Sequence, residues 1–198
     1  KYMWLDRFTI RNLELVRSNH LSGVSLLDIM DKTKTPMGAR MMSKWVVLPL
    51  KVTEEIHNRL NRVEALVKNE SIKDQAIDIL KTIGDLERLT SKIPLGKINP
   101  KELLAIRSTL SKLGELKNLF DEPDLEAFLD ITSKLNTCEV LDKRIFDTIH
   151  ENAPFSLNKG DVIKEGWNAD LDEWRSISKN AKKIILNLQI KNAEATGI

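Results

Sequence analysis

Three histidines and one cysteine are the side chains of this sequence that most often carry chemistry, but their spacing does not support a site. His20, His57 and His150 share no motif, and Cys138 lies in a polar stretch without a neighbouring histidine. A metal site needs several ligands at matched spacing, and a thiol nucleophile needs a base. We therefore interpret the histidines as solvated or capping groups and the cysteine as an inert thiol of a reducing compartment. We expect no catalytic residue and no metal ligand.

Phosphate-binding loops and stacking platforms are also missing from the sequence. Neither Gly-x-x-x-x-Gly-Lys-Ser/Thr nor Gly-x-Gly-x-x-Gly occurs, so we expect no cofactor-binding residue in this chain. Aromatic residues make up only 5% of the chain, and its four tryptophans lie on apolar stripes or at segment ends, which does not indicate a surface for single-stranded nucleic acid. We predict that all four are core residues: Trp4, Trp45, Trp167 and Trp174.

Charge excludes bulk attraction to a polyanion. The 31 basic and 29 acidic residues leave a formal net charge of +2, which gives no general electrostatic case for nucleic acid or a membrane. Three charged residues, Arg40, Asp85 and Arg88, are candidates for an internal polar network. Structural ion pairing is the favoured interpretation of these residues over a role as a relay.

The clearest helix signal in the sequence begins at Thr35, and the rest of the predicted fold is described relative to this helix. Thr35 is typical of an N-cap, and Pro36 suits the first helical position because its missing N–H is not needed there. Apolar residues then recur at helical spacing until Pro49 ends the pattern: Met37, Met41, Trp45 and Leu48. Gly38 costs roughly 1 kcal/mol in helix propensity, so we expect another group to pack closely over it.

The remaining chain indicates a mainly all-α fold, a multi-helix orthogonal bundle that forms a single domain over 1–198. We predict a leading segment at 1–30, a helical body at 31–153, a turn or hairpin with two short strands at 154–167, and a long C-terminal helix at 168–198. N-caps are predicted at Ser25 with Asp28, Thr53, Ser71, and Asn99 with Glu102. One further helix is predicted around Leu125–Leu135. No run approaches the ~20 apolar residues that span a bilayer.

The long helix at 168–198 carries an apolar stripe and several lysines. Its length of about 40 Å follows from 1.5 Å per residue, and its seam residues alternate three and four apart: Leu171, Trp174, Ser178, Ala181, Ile185 and Leu188. The lysines between 179 and 191 form either a solvated outer face, which we favour, or a phosphate-binding face.

Islands of sequence along the whole chain resemble the core or lever domain of bacterial MutS, the DNA mismatch-recognition ATPase family. The first islands are Leu5-Asp6, Thr9, Arg11-Asn12-Leu13-Glu14-Leu15, Asp31, Thr33, Thr35-Pro36-Met37-Gly38, Arg40, Trp45 and Pro49-Leu50. The later ones are Arg59-Leu60, Val63-Glu64, Asp85-Leu86-Glu87-Arg88, Pro100, Gly160, Ile163, Gly166, Leu171-Asp172-Glu173, Arg175 and Thr196-Gly197-Ile198. Asn61, Asp161 and Trp174 depart from the usual family residues.

The resemblance implies a mechanical role. In the family, a mismatch-reading domain precedes such a segment, a DNA clamp is inserted at the far end of the lever helices, and the ATPase follows. This chain would be the part of the core before the clamp, a non-catalytic scaffold that couples ATPase to clamp. The resemblance implies a bacterial cytoplasmic, nucleoid-associated parent that uses ATP and Mg²⁺ and binds mismatched double-stranded DNA, a second MutS subunit and a MutL-type partner. The expected transmission residues are Thr35, Pro36, Gly38, Arg40, Asp85, Arg88 and Trp174.

Because the family's returning lever helix follows the clamp, the stripe between 171 and 188 would lack its partner. We therefore expect self-association through this helix, or fraying toward its C-terminus. We expect no membrane partner. Two alternatives remain: a MutS-like ATPase that acts outside mismatch repair, and an autonomous helical DNA-binding module that uses the lysines between 179 and 191.

Overall fold

Helices dominate the computed structural model, which describes residues 1–196; Gly197 and Ile198, part of the last resemblance island, lie outside the described residues. The α-helices are α1 (Arg7–Asn12), α2 (Leu26–Met30), α3 (Pro36–Val47), α4 (Thr53–Lys68), α5 (Glu70–Thr82), α6 (Leu86–Thr90), α7 (Pro100–Leu119), α8 (Leu129–Thr132), α9 (Glu139–Thr148) and α10 (Ala169–Thr196). Within residues 1–196 the only β pairing is two isolated antiparallel bridges, Tyr2 with Leu50 and Ile149 with Ile163. The predicted mainly all-α class is confirmed.

Helix α7 lies at the centre of the main core and packs against α5, α6 and α9. The buried side chains of this core are Leu89, Ile106, Leu110, Ile145, Ile149 and Ala153. The neighbouring Thr109 is also buried, and its hydroxyl donates to the Ala105 carbonyl at 3.0 Å while accepting the Gly84 N–H at 3.1 Å. Because both bonds are made, this polar group sits in the interior without an unpaired donor or acceptor.

Local capping signals determine most helix starts. Asn99 and Glu102 form a reciprocal capping box at α7, and Ser25 with Asp28 does the same at α2. The predicted caps of α4 and α5 are wrong. Thr53 is the first helical residue after Val52, and α5 begins at Glu70, before Ser71. A single residue, Asn69, separates these two helices, and its side chain donates to the Ala65 carbonyl at 3.0 Å.

Two predicted elements differ from the structure. In place of one helix around Leu125–Leu135, the chain forms a 3₁₀ helix at Pro123–Phe128 followed by α8, because Leu125 leaves helical geometry (φ −116°, ψ 28°) to place its side chain in the interior.

Of the two alternatives predicted for segment 154–167, a turn or a hairpin, the turn is present as a 3₁₀ turn at Leu157–Lys159, and there is no hairpin. Its expected strands do not pair with each other, and Gly160 and Asp161 between them adopt positive φ. Residues 162–164 instead bond to the end of α9, where His150 N–H donates to the Val162 carbonyl at 2.8 Å.

The prediction that all four tryptophans are core residues is wrong. Trp4 is 85% exposed and Trp174 is 69% exposed, and Trp45 and Trp167 are also exposed. The apolar stripe of α4 is likewise exposed: Ile56, Leu60, Val63 and Val67. An amphipathic pattern identifies the face that needs cover, and within residues 1–196 these faces are not covered.

Candidate functional site

The start of α3 forms a tight, hydrogen-bonded turn. Thr35 accepts the Gly38 N–H at 3.0 Å, and Pro36 occupies the first helical position, as predicted. Just before the turn, the Asp31 carboxylate accepts the Thr33 hydroxyl at 2.6 Å and the Thr33 N–H at 3.0 Å, and these bonds hold the pKa of Asp31 below its usual value. This bonding fixes Thr33 against Gly38.

The close cover expected over Gly38 is present. A Cβ atom added there would lie 3.0 Å from Thr35 Oγ1 and 3.2 Å from Thr33 Cβ. These distances are shorter than an ordinary van der Waals contact, so a side chain at this position would displace the cap or the preceding turn.

Arg40, one turn further along α3, binds two carboxylates of the α6 start. Its Nη1 and Nη2 donate to Asp85 Oδ2 and Oδ1 at 3.0 and 2.7 Å, and its Nε donates to Glu87 Oε2 at 2.8 Å. A guanidinium is suited to this because its planar fork matches carboxylate geometry. We call Arg40, Asp85 and Glu87 the Arg40 clamp. It joins parts of the chain that lie 45 residues apart in sequence.

Asp85 has two structural roles in this clamp. Besides pairing with Arg40, its carboxylate caps α6 by accepting the Arg88 N–H at 3.2 Å. Its side chain is only 12% exposed, whereas that of Arg40 is 49% exposed. The Arg40 hydrogen bonds lower the pKa of Asp85 to about 2, and the two carboxylates raise the pKa of Arg40. Asp85 therefore stays ionised across the physiological range.

The predicted set of site residues is only partly brought together. Arg40 and Asp85 bond directly, and Arg88 contributes its backbone N–H, while its guanidinium forms no ion pair within residues 1–196. Trp174 lies on α10, and no hydrogen bond, ion pair or ring contact joins it to the Arg40 clamp in the described part of the chain.

Besides the Arg40 clamp to α6, helix α3 has a second link, to α4, that sequence reasoning missed. The Arg59 guanidinium lies 3.5 Å from the centre of the Trp45 ring, a cation–π geometry. Two residues on different helices leave no spacing signal in the sequence, so only the fold could reveal this pair.

The N-terminal end of α10 is bound to the preceding segment by a separate polar network. Arg175 donates to the Ile163 carbonyl at 2.7 Å and to Asp172 Oδ1 at 3.0 Å. Asp172 also accepts the Gly166 N–H at 2.7 Å, and Asn168 caps the helix by accepting the Leu171 N–H at 2.8 Å. The long helix therefore has a fixed base.

Neither a metal centre nor a membrane span is found among the described residues. No group of three or more His, Cys, Asp or Glu side chains could hold a metal ion in residues 1–196. None of the helices in that range is both long enough and apolar enough to cross a bilayer.

Comparison with known families decides what this helical body is. The family model described as MutS domain III matches residues 8–196. The chain belongs to this MutS family. Three relatives named DNA mismatch repair protein MutS align with all of it: those of Cytophaga hutchinsonii at 46% identity, Flavobacterium johnsoniae at 41% and Bacteroides thetaiotaomicron at 40%. This MutS domain spans 23% of the length of each of these relatives.

Proposed function

We propose that this chain is the scaffold of a bacterial DNA mismatch repair protein that couples an ATPase to a DNA clamp. Its membership of the MutS domain III family and its relatives' names support the repair pathway. The parent would bind ATP and Mg²⁺ outside this chain, in the bacterial cytoplasm at the nucleoid. Its partners would be mismatched double-stranded DNA, a second MutS subunit and a MutL-type protein.

The observation that carries the coupling proposal is the Arg40 clamp. Coupling between distant sites requires an element with two arrangements that each site can bias. The clamp fits this need because it ties α3 to α6 through a single side chain that is half exposed, and none of its three residues belongs to the main core. The fixed base of α10 would then transmit a shift of the body along a helix of about 40 Å.

The test is Arg40→Ala in the longer MutS protein. We expect mismatched DNA to bind, but ATP to release it more slowly than from the unsubstituted protein, because the body no longer changes as a unit. The measurement is the dissociation rate of a labelled mismatched duplex with and without ATP.

The matched control is Arg62→Ala, which removes a similar fork elsewhere in the body. Arg62 Nη2 donates to both Asp130 oxygens at 2.8 and 2.9 Å, and its Nε donates to the Ala127 carbonyl at 3.0 Å. If both variants lower the melting temperature equally and leave the ATP effect intact, the Arg40 clamp is a structural ion pair and the coupling proposal fails.

A second candidate function is autonomous DNA binding through the α10 lysines. Lys183 and Lys191 are exposed, but Lys179 faces Glu165 at 3.3 Å, which reduces the local positive charge. Binding through phosphates weakens steeply with salt, so a flat titration of duplex DNA at about 0.15 M salt would exclude this alternative. A third candidate function is that of a MutS-like ATPase acting outside mismatch repair. The relatives' names favour the repair function over this one.

We also propose self-association through 171–188. Trp174, Ile185 and Leu188 on this stripe are each more than half exposed. Burying such side chains against a second copy would remove their apolar surface from water, which favours association.

A further inference from the structure

A cavity of about 460 Å³ lies beside α1, separate from the Arg40 clamp. Helix α1 contributes Arg7, Ile10 and Arg11 to its lining, and the following loop contributes Val16, Arg17 and Asn19. This size falls within the range of roughly 300–1,000 Å³ that is typical of small-ligand sites. The cavity combines an apolar surface with three arginines.

The loop wall of this cavity is held in place by hydrogen bonds. Glu14 adopts a left-handed backbone (φ 49°), and its carboxylate accepts the Asn19 N–H at 2.9 Å and the Ser18 hydroxyl at 3.3 Å. The Asn19 side chain in turn donates to the Arg11 carbonyl at 3.1 Å and accepts from Arg11 Nε at 3.4 Å. These bonds join the loop to α1, so the cavity is formed before any ligand arrives.

The charges around the cavity are unbalanced. Arg7 and Arg17 form no ion pair within residues 1–196, and no carboxylate lines the cavity. The two acidic residues of this segment are already engaged, since Asp6 caps α1 by accepting the Thr9 N–H at 2.8 Å and Glu14 holds the loop. Three guanidinium groups nevertheless outnumber the two carboxylates of this segment, and this excess of positive charge attracts an anion.

We propose that this cavity binds a phosphomonoester whose organic body is apolar. A phosphomonoester carries close to two negative charges near neutral pH, which suits three arginines better than a single carboxylate does. Guanidinium forks bind phosphate oxygens in pairs, and Ile10 and Val16 provide the surface for the organic body. The site does not depend on the coupling role proposed above.

The probe is phenyl phosphate, titrated calorimetrically into the 198-residue chain. We expect saturable binding that is tighter than that of inorganic phosphate, which lacks the apolar body, and tighter than that of benzoate, which has one charge. In Arg7→Gln/Arg17→Gln the affinity should fall at least about tenfold, as expected for losing hydrogen bonds to a charged group.

The control is Arg144→Gln, which removes one exposed arginine elsewhere and should leave phenyl phosphate binding unchanged. The helical circular dichroism of every variant should match that of the unsubstituted chain, because Arg7 and Arg17 are exposed. Absence of saturable binding, or equal losses in the control, would overturn the proposal. Displacement of phenyl phosphate by a short duplex at equivalent phosphate concentration would assign the site to nucleic acid and overturn the small-ligand assignment.

Discussion

Two helical glycines should respond in opposite ways to the same added methyl group. Alanine is favoured over glycine in a helix by about 1 kcal/mol. At Gly114, inside α7, a new Cβ would meet nothing closer than Thr137 Cγ2 at 4.0 Å, which is an ordinary contact. Gly114→Ala should therefore raise the free energy of unfolding by about 0.5–1 kcal/mol.

At Gly38 the same gain is offset. The new Cβ would lie 3.0 Å from Thr35 Oγ1, the atom that caps α3, and 3.2 Å from Thr33 Cβ, which Asp31 holds in place. Displacing an N-cap costs about 0.5–2 kcal/mol, so Gly38→Ala should be neutral or destabilising by about 1 kcal/mol.

Because the helix-propensity gain is common to both variants, they should differ by the N-cap cost of about 0.5–2 kcal/mol, or about 1–8 °C in melting temperature for a chain of this size. Urea denaturation followed by circular dichroism measures it, provided that the dependence on urea is the same in both variants. If Gly38→Ala stabilised the chain as much as Gly114→Ala, the tight packing at the α3 start would be refuted.

The remaining predictions concern the core, the clamp and α10. Leu125→Ala should lower the free energy of unfolding by about 2–5 kcal/mol, because this side chain is 0% exposed; a smaller loss in urea denaturation would mean that the site collapses. The ion pair of Arg40 with Asp85 should contribute fully to the free energy of unfolding above the ordinary Asp85 pKa of 3.8, and this contribution should be lost as pH falls toward about 2. The free energy of unfolding measured between pH 2 and 6 should therefore depend less on pH in Asp85→Asn than in the unsubstituted chain. Ile185→Glu should abolish self-association in sedimentation equilibrium, whereas Asn187→Glu, on the opposite face of α10, should not. An unsubstituted chain that is monomeric at every concentration would contradict the proposed interface.

Sequence reasoning succeeded where the determining contacts are local. The caps at Thr35 and Asn99 depend on groups three residues apart, and that spacing can be read directly from the chain. The sequence analysis named Arg40 and Asp85 as candidates for one network but not Glu87 as the second carboxylate of the clamp. Arg40 and Glu87 lie 47 residues apart, and no spacing signal in the sequence predicts their contact. The kink at Leu125 was missed for a similar reason, since burial in the tertiary core overrides a helical pattern.

The four tryptophans show a different kind of failure, in which the pattern was right and the conclusion from it was wrong. Trp174 does lie on an apolar stripe of α10, yet it is 69% exposed, and the stripe of α4 is exposed in the same way. Periodicity reports which face of a helix is apolar, and it contains no information on whether the covering surface belongs to the same stretch of chain. For a domain that spans 23% of its relatives' length, such a surface can come from outside the chain or from a second copy. The α10 variants distinguish these sources, because only the second copy makes the apparent mass depend on concentration.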